Sequence, residues 1–189
     1  MEFSADAFER AKKIELVIFD VDGVLTDGKI YMGKDGEFFK AFNCHDGFGI
    51  SNAHKVGLKT AIITGRQSTY TANRARELGV RTVKQGHMNK RSAYNELKDE
   101  FNLTDEKIAY VADDVIDLPV FVQVGFRAAV ADAVKEVKER AHFIADNIGG
   151  NGAVRDVLEF IMKAQGKWEK IIRQYTSVED DGGSYDLMQ

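Results

Sequence analysis

The residues of this sequence that could do chemistry together are three acids, a threonine and a lysine. Asp20 and Asp22 follow the apolar run ELVIF, Thr64 follows AII, and Asp113 follows IAYVA. Carboxylate oxygens are the hard ligands that Mg²⁺ prefers, and the ion usually keeps waters and a phosphate oxygen beside a few carboxylates. The side chains of Asp20, Asp22 and Asp113 therefore predict a magnesium site.

Thr64 and Lys90 add the groups that a phosphoryl centre requires. Thr64 offers a hydroxyl and an adjacent backbone N–H, and Lys90 offers a positive point charge. Such groups stabilise the negative charge that spreads over the phosphoryl oxygens in the transition state. A carboxylate such as Asp20 can also attack phosphorus itself and form an aspartyl phosphate. Each motif alone is a weak signal, but their joint appearance predicts phosphoryl transfer.

The elements that must position these residues alternate along the chain. Apolar, β-branched runs predict six strands, at 15–20, 58–65, 80–86, 107–114, 126–131 and 141–146. Intervening segments predict helices at 4–13, 45–56, 67–78, 90–101, 134–140 and 152–168, with a short helix near Asp117. This alternation is typical of an α/β fold with a doubly wound parallel sheet and a Rossmann-like core. Ligands of such folds bind beyond the carboxyl ends of the strands, where the candidate residues lie.

Length and composition restrict the class of protein. The 189 residues favour one domain, which we place at 1–175, followed by a flexible C-terminal tail at 176–189. A balance of 26 basic and 30 acidic residues, net charge −4, argues against a nucleic-acid partner. No apolar run is long enough to cross a bilayer and no signal peptide is evident, so we expect a cytoplasmic protein without a membrane partner. One cysteine, Cys44, excludes an internal disulfide framework and a zinc ribbon.

The motifs resemble those of the haloacid dehalogenase superfamily of phosphatases. The four motifs of that family match Asp20 with Asp22, then Thr64, then Lys90, then Asp113 with Asp117. The resemblance implies that Asp20 attacks phosphorus, and that Asp22 protonates the leaving oxygen and then activates water. It also implies that Asp20, the backbone carbonyl of Asp22, and Asp113 hold Mg²⁺. Thr64 and Lys90 would bind the phosphoryl group, and Asp117 would orient Lys90 or a metal-bound water.

The resemblance extends over nearly the whole chain. The stretches DVDGVLTDG, FNCHDGFGI, TGR, DDVIDLP and GGNGAVRD look like those of 3-deoxy-D-manno-octulosonate 8-phosphate phosphatases. The resemblance implies a Mg²⁺-dependent, capless and tetrameric enzyme that acts on the phosphate of an eight-carbon sugar acid, on the way to the lipopolysaccharide inner core.

The spacing of the motifs leaves no room for a cap domain over the site. Only a predicted hairpin, at about 29–42, and one helix lie between Asp22 and Thr64, and only a helix and a strand lie between Thr64 and Lys90. An open site grips a small substrate poorly, so a partner subunit is expected to supply the missing wall. Aromatic residues on the hairpin suit such an interface, or pack on their own domain: Tyr31, Phe38, Phe39 and Phe42.

A sugar acid needs its carboxylate recognised, and arginine binds carboxylates in a bidentate way. Arg66, Arg74 and Arg81 are the candidates, and Arg81 is a candidate for the site of a neighbouring subunit; for Arg74 and Arg81 a solvated helix face is an equal alternative. The segment after the hairpin resembles the substrate loop of the family. Besides Asp22 and Lys90, its residues are therefore substrate-binding candidates: Asn43, Cys44, His45, Asp46 and Gly47.

Two alternative functions stay open on the sequence alone. One is a neighbouring specificity, a phosphatase for the 9-phosphate of a nine-carbon, sialic-acid-type sugar acid. The other is a phospho-accepting receiver domain, which also groups acids, a threonine and a lysine on a doubly wound sheet. Receivers lack an acid two residues beyond the phosphorylated aspartate, so Asp22 favours the enzyme.

Overall fold

A six-stranded parallel sheet forms the centre of the computed structural model, which describes residues 5–177. Its strands and those of a separate hairpin are β1 (Leu16–Phe19), β2 (Tyr31–Gly33), β3 (Gly36–Phe39), β4 (Lys59–Ile63), β5 (Thr82–Lys84), β6 (Ile108–Ala112), β7 (Phe126–Ala129) and β8 (Phe143–Ile144). The order across the sheet is β5-β4-β1-β6-β7-β8. The predicted α/β, doubly wound parallel sheet is therefore confirmed.

The central strands are buried on both faces, as their continuous apolar runs predict. The chain leaves β1 in one direction to β4 and β5, and later returns to β6 on the other side of β1. This reversal of strand order beside β1 is the place where open α/β sheets bind ligands. Asp20 is the first residue beyond β1 and therefore lies at that position.

Helices cover the two faces of the sheet. They are α1 (Ala5–Ala11), α2 (Cys44–Lys55), α3 (Thr69–Glu77), α4 (Lys90–Phe101), α5 (Leu118–Phe121), α6 (Lys135–Lys138), α7 (Ala153–Ala164) and α8 (Trp168–Thr176). Helix α7 packs against α1 and α2, and α4 packs against α5. None of the helices in residues 5–177 is long and apolar enough to cross a membrane.

Strands β2 and β3 form the predicted hairpin apart from the main sheet. The hairpin is tied to α3, because the Tyr70 hydroxyl donates to the carbonyl of Phe38 at 2.6 Å and the Ser68 hydroxyl donates to Glu37.

Phe38 and Met32 are 68% and 65% exposed. Tyr31 stacks on Phe39. Of the two alternatives for these aromatic residues, an interface or packing on their own domain, Phe42 takes the second, since it packs against the core.

The C-terminal part differs from the predicted single helix at 152–168. Gly166, at φ +65°, separates α7 from α8, because a left-handed residue ends an α-helix. Helix α8 runs to Thr176, one residue past the predicted end of the domain. The rest of the predicted tail, beyond Ser177, lies outside the described residues.

Three glycines bring two loops into backbone contact beside the candidate site. Gly23 has φ +93°, and a Cβ there would lie 2.0 Å from a carboxylate oxygen of Asp113. A Cβ on Gly149 would lie 1.7 Å from the carbonyl oxygen of Gly23, and one on Gly150 2.4 Å from the backbone of Thr26 and Asp27. The loop after β1 can therefore approach Asp113 only because Gly23 has no side chain, and the loop at Gly149 and Gly150 can pack on it for the same reason.

We expect Gly149→Ala to destabilise the protein by about 3 kcal/mol, because the added methyl must displace the backbone that carries Gly23. Gly33→Ala is the matched control, since a Cβ at Gly33 meets only ordinary van der Waals contacts with Phe38. Urea unfolding of both variants measures the difference. Equal stability of the two variants would contradict the close packing of the two loops.

Candidate active site

The cation of the candidate site is the buried ammonium of Lys90. Lys90 is the first residue of α4, and its Nζ lies 2.8 Å from Oδ1 of Asp20 and 2.6 Å from Oδ1 of Asp117. Burial by itself would lower the pKa of Lys90, but the two carboxylates outweigh it and raise that pKa. Lys90 is therefore held as a cation between the ends of β1 and β6.

Asp117 is placed by three donors and links the lysine to the end of β6. Its Oδ1 accepts from Lys90 and, at 2.8 Å, from the hydroxyl of Tyr110, and its Oδ2 accepts from the backbone N–H of Asp113 at 3.4 Å. It is fully buried in a short 3₁₀ turn that begins at Val115. This contact agrees with the orienting role that the resemblance implied for Asp117.

Asp113 completes a cluster of carboxylates. Oxygen atoms of Asp20, Asp113 and Asp117 lie within 4.8 Å of one another. Burial, together with the charge of Asp117, raises the pKa of Asp20 to about 7. Burial and the charges of Asp20 and Asp117 raise the pKa of Asp113 to about 8. Both acids are therefore costly to ionise without a further cation.

The donor set fits a magnesium ion. Three carboxylates and one ammonium leave two negative charges when all groups are ionised, and a divalent cation balances them. Carboxylate oxygens are also the donors that this ion prefers. Asp20 and Asp113 are the residues of the cluster that would hold it, since Asp117 already accepts three hydrogen bonds.

The side chain of Asp22 lies outside this cluster, which differs from the expectation that its carboxylate would join those of Asp20 and Asp113. Its Oδ1 accepts from Nζ of Lys40, and its Oδ2 lies 3.9 Å from Nε of Arg66. The chain turns at Gly23 directly after it, so Asp20 and Asp22 do not share the face of an extended strand. The backbone-carbonyl role of Asp22 in metal binding stays a prediction.

Lys40 is the residue of this neighbourhood that sequence reasoning missed. It follows the second hairpin strand, where one lysine among many charged residues gives no signal of its own. Its ion pair with Glu37, at 3.2 Å, is evident only in the structure, because residues three apart are not neighbours along an extended strand. The hairpin region thus places the ammonium of Lys40 beside Asp22, in addition to exposing aromatic side chains at the surface.

Thr64 directly follows β4, which is next to β1 in the sheet. It is buried, its backbone N–H donates to the carbonyl of Lys84 at 2.9 Å, and its hydroxyl accepts from the backbone N–H of Arg66 at 3.4 Å. These contacts fix the loop that follows β4. Arg66, which is 45% exposed at its side chain, lies at the mouth of the site next to Asp22.

The other two candidate arginines lie elsewhere. Arg74 lies next to the start of α2, because its Nη2 donates to the carbonyl of Asn43 at 3.4 Å. Its Nη1 lies 2.8 Å from Oε1 of Glu77, on its own helix α3. Arg81 precedes the amino end of β5, which is the opposite end of the parallel sheet from the carboxylate cluster. Among the three candidate arginines, Arg66 is therefore the one that lies beside Asp22.

The candidate substrate loop forms the first turn of α2. Asn43 caps the helix, since its side chain accepts from the backbone N–H of His45 at 2.7 Å, and Cys44 and His45 are exposed. Asp46 is buried and accepts from the backbone N–H groups of Gly152 and Arg155, so it caps α7 across the fold. A Cβ on Gly47 would meet Nη2 of Arg74 at 2.5 Å, so this glycine serves close packing. Substrate contacts by these five residues stay predictions.

Comparison with known proteins gives one consistent result. A model of the haloacid dehalogenase-like hydrolases matches residues 82–158. The chain is 45% identical, over 167 residues, to the 3-deoxy-D-manno-octulosonate 8-phosphate phosphatase KdsC of Escherichia coli (strain K12), covering 88% of this chain and 89% of that protein.

Two solved structures of such phosphatases share the fold. The enzyme from Yersinia pestis has a TM-score of 0.85 at 45% identity, over 87% of this chain and 89% of that chain. The enzyme from Moraxella catarrhalis was solved with magnesium, phosphate and KDO (3-deoxy-D-manno-octulosonate). It has a TM-score of 0.87 at 36% identity, over 90% of this chain and 98% of that chain.

The raised pKa values of Asp20 and Asp113 predict how protons and Mg²⁺ compete. Without the ion, the folded protein holds protons that the unfolded chain releases near pH 4, so the free energy of unfolding should fall as pH rises to about 8. Saturating Mg²⁺ should therefore raise the Tm more at about pH 8.5 than at about pH 6.

Differential scanning calorimetry with and without chelator measures this difference. Asp113→Asn is the control variant, since it should weaken both the fall with pH and the response to Mg²⁺. A Mg²⁺-induced rise in Tm that is the same at both pH values would contradict the predicted competition.

Proposed function

The chain belongs to the haloacid dehalogenase-like hydrolases, in the family of 3-deoxy-D-manno-octulosonate 8-phosphate phosphatases, and we propose its function from that membership and from the geometry of the site. It is a Mg²⁺-dependent phosphoric monoester hydrolase that converts 3-deoxy-D-manno-octulosonate 8-phosphate to 3-deoxy-D-manno-octulosonate and phosphate, in the biosynthesis of the lipopolysaccharide core. Membership in this family of hydrolases removes the receiver domain as an alternative.

One observation carries the proposal at the level of chemistry. The buried ammonium of Lys90 joins Asp20, at the end of β1, to Asp117, in the turn after β6, with Asp113 in the same cluster. A cation fixed beside a carboxylate at the ligand-binding edge of the sheet attracts an anionic phosphoryl group and helps to keep Asp20 ionised.

Asp20 acts as the nucleophile in this proposal. One carboxylate oxygen attacks phosphorus while the bond from phosphorus to the sugar oxygen breaks, which gives an aspartyl phosphate. Because Oδ1 of Asp20 contacts Lys90, the other oxygen is the one left to attack. Lys90 and Thr64 stabilise the charge on the phosphoryl oxygens.

Asp22 moves the protons. It gives a proton to the departing sugar oxygen, and its carboxylate then takes a proton from the water that attacks the aspartyl phosphate. Phosphate leaves, and both acids return to their first state. Asp22 is suited to this role because it lies apart from the carboxylate cluster and is partly open to solvent.

Asp20, Asp113 and the backbone carbonyl of Asp22 would hold the magnesium ion, which when bound supplies Lewis-acid stabilisation of the phosphoryl oxygens. The chain itself places the carboxylates of Asp20 and Asp113, both with raised pKa values, close to each other.

Arg66 is the proposed contact for the carboxylate of the sugar acid. It lies at the mouth of the site beside Asp22, and its half-exposed guanidinium can reach a ligand. Arg74 is held beneath the candidate substrate loop by Asn43 and Glu77, whereas Arg81 lies at the opposite end of the sheet, so a contact by Arg81 requires another subunit.

A homotetramer is the proposed assembly. The exposed Phe38 and Met32 on the hairpin support it, since exposed large apolar side chains next to an open site suit a protein interface. The proposed location is the cytoplasm, where a free and exposed Cys44 stays reduced.

Asp20→Asn should lower the rate of phosphate release by about 10³-fold or more, because an amide cannot form the aspartyl phosphate. Asp99→Asn is a matched control on the exposed surface of α4 and should leave the rate unchanged. Phosphate release under saturating substrate and Mg²⁺ measures both. Substantial turnover by Asp20→Asn, with a normal Tm, would overturn the assignment of the nucleophile.

Among sugar phosphates, the highest kcat/KM is expected for 3-deoxy-D-manno-octulosonate 8-phosphate. Assays with Mg²⁺ should compare it with the nine-carbon 2-keto acid 9-phosphate and with an eight-carbon phosphate that lacks the carboxylate. A higher kcat/KM for the nine-carbon substrate would move the function to the sialic-acid-type phosphatases.

A further inference from the structure

Lys40 is a buried cation that the proposed reaction does not use. Its side chain is 2% exposed, although it follows an exposed hairpin. Its Nζ donates to Oδ1 of Asp22 and lies 3.2 Å from Oε1 of Glu37. A buried ammonium is costly unless it is paired, so these contacts, one of them with a catalytic acid, account for its position.

The second carboxylate of this group is anchored to the protein core. Glu37 accepts from the hydroxyl of Ser68, which is the N-cap of α3. Burial would raise the pKa of Glu37, but the hydrogen bonds from Ser68 and Lys40 lower it, so Glu37 stays an anion beside the lysine. The ammonium of Lys40 therefore pairs with Glu37, which Ser68 fixes in place, and it also contacts the carboxylate of Asp22.

The contacts of Asp22 show what Lys40 does for it. Among residues 5–177, the ionic partners of Asp22 are Lys40 and, at the longer distance of 3.9 Å, Arg66. The side chain of Arg66 is half-exposed, whereas that of Lys40 is enclosed. The nearest cation to the Asp22 carboxylate is therefore the enclosed ammonium of Lys40.

We propose that Lys40 is a positioning residue for the acid–base step, which holds the carboxylate of Asp22 toward the reacting oxygen atoms. The inference rests on the role of Asp22 in the proposed function. It makes the hairpin part of the catalytic apparatus as well as a surface for assembly. A displaced acid–base group is expected to reduce turnover strongly, because errors of about 1 Å in placement cost about 10²-fold.

The first experiment compares three variants at the hairpin. Lys40→Met should lower kcat by about 10²-fold while KM and inhibition by inorganic phosphate change little. Lys40→Arg, which keeps the charge, should recover part of the loss. Lys29→Met is the matched control, because Lys29 also pairs with an aspartate of this region, Asp27 at 2.9 Å, but is 72% exposed.

Thermal unfolding and light scattering show whether each variant keeps its fold and assembly. If Lys40→Met does not fold, Lys40→Arg and Glu37→Gln carry the test, and Glu37→Gln should lower kcat in the same direction. Loss of phosphate binding instead of kcat would mean that Lys40 contacts the substrate, and would overturn the positioning role. An unchanged kcat in folded Lys40→Met would overturn it as well.

A double-mutant cycle with Asp22→Asn separates this inference from the proposed function. An aryl phosphate, whose leaving group needs no proton, keeps the residual rates measurable. Lys40→Met should have little further effect when Asp22 is already replaced, because its effect passes through that residue. A loss by Lys40→Met that is equally large with and without Asp22 would contradict the inference. Full activity of Asp22→Asn toward the sugar-acid phosphate, whose leaving oxygen does need a proton, would instead contradict the proposed mechanism itself.

Discussion

The structure around the candidate site depends on an unequal balance of buried charge. Asp20, Asp113 and Asp117 meet one buried ammonium, that of Lys90, at the carboxyl edge of the sheet. Acids crowded in this way resist ionisation, which the raised pKa values of Asp20 and Asp113 express. A divalent cation balances the two excess negative charges, so this constraint accounts for the metal site, and the bound cation would then attract an anionic phosphoryl group.

Strand register brings the acids together. In the pairing of β1 with β6, Phe19 lies opposite Val111, so the residues that follow each strand emerge side by side. The loop after β1 then has to turn away at once, and Gly23 permits both the turn and the approach of Asp113. The loop at Gly149 closes over that turn by backbone contact, which ties a distant part of the chain to the geometry of the site.

The sequence predicts the sheet and the acids that follow its strands, because both depend on local patterns: apolar β-branched runs and the first polar residues after them. It does not predict which carboxylates share a cluster. Spacing groups Asp22 with Asp20, but the turn at Gly23 sends the Asp22 side chain to Lys40. Likewise the cap that Asp46 provides for α7 joins residues 106 and 109 positions apart, which no local pattern encodes.

The hairpin has two faces because side chains alternate along a strand. On β3, Glu37 points inward to Ser68 and Lys40, while Phe38 beside it is exposed. The segment 37–40 thus contacts Asp22, the proposed acid–base residue, through Lys40 and offers the apolar surface of Phe38 to solvent. In the proposed tetramer, a neighbour that covers Phe38 would also hold Glu37 and Lys40 still. In that proposal, assembly and the orientation of Asp22 both depend on the segment 37–40, which would keep the proposed acid–base group of an open site fixed.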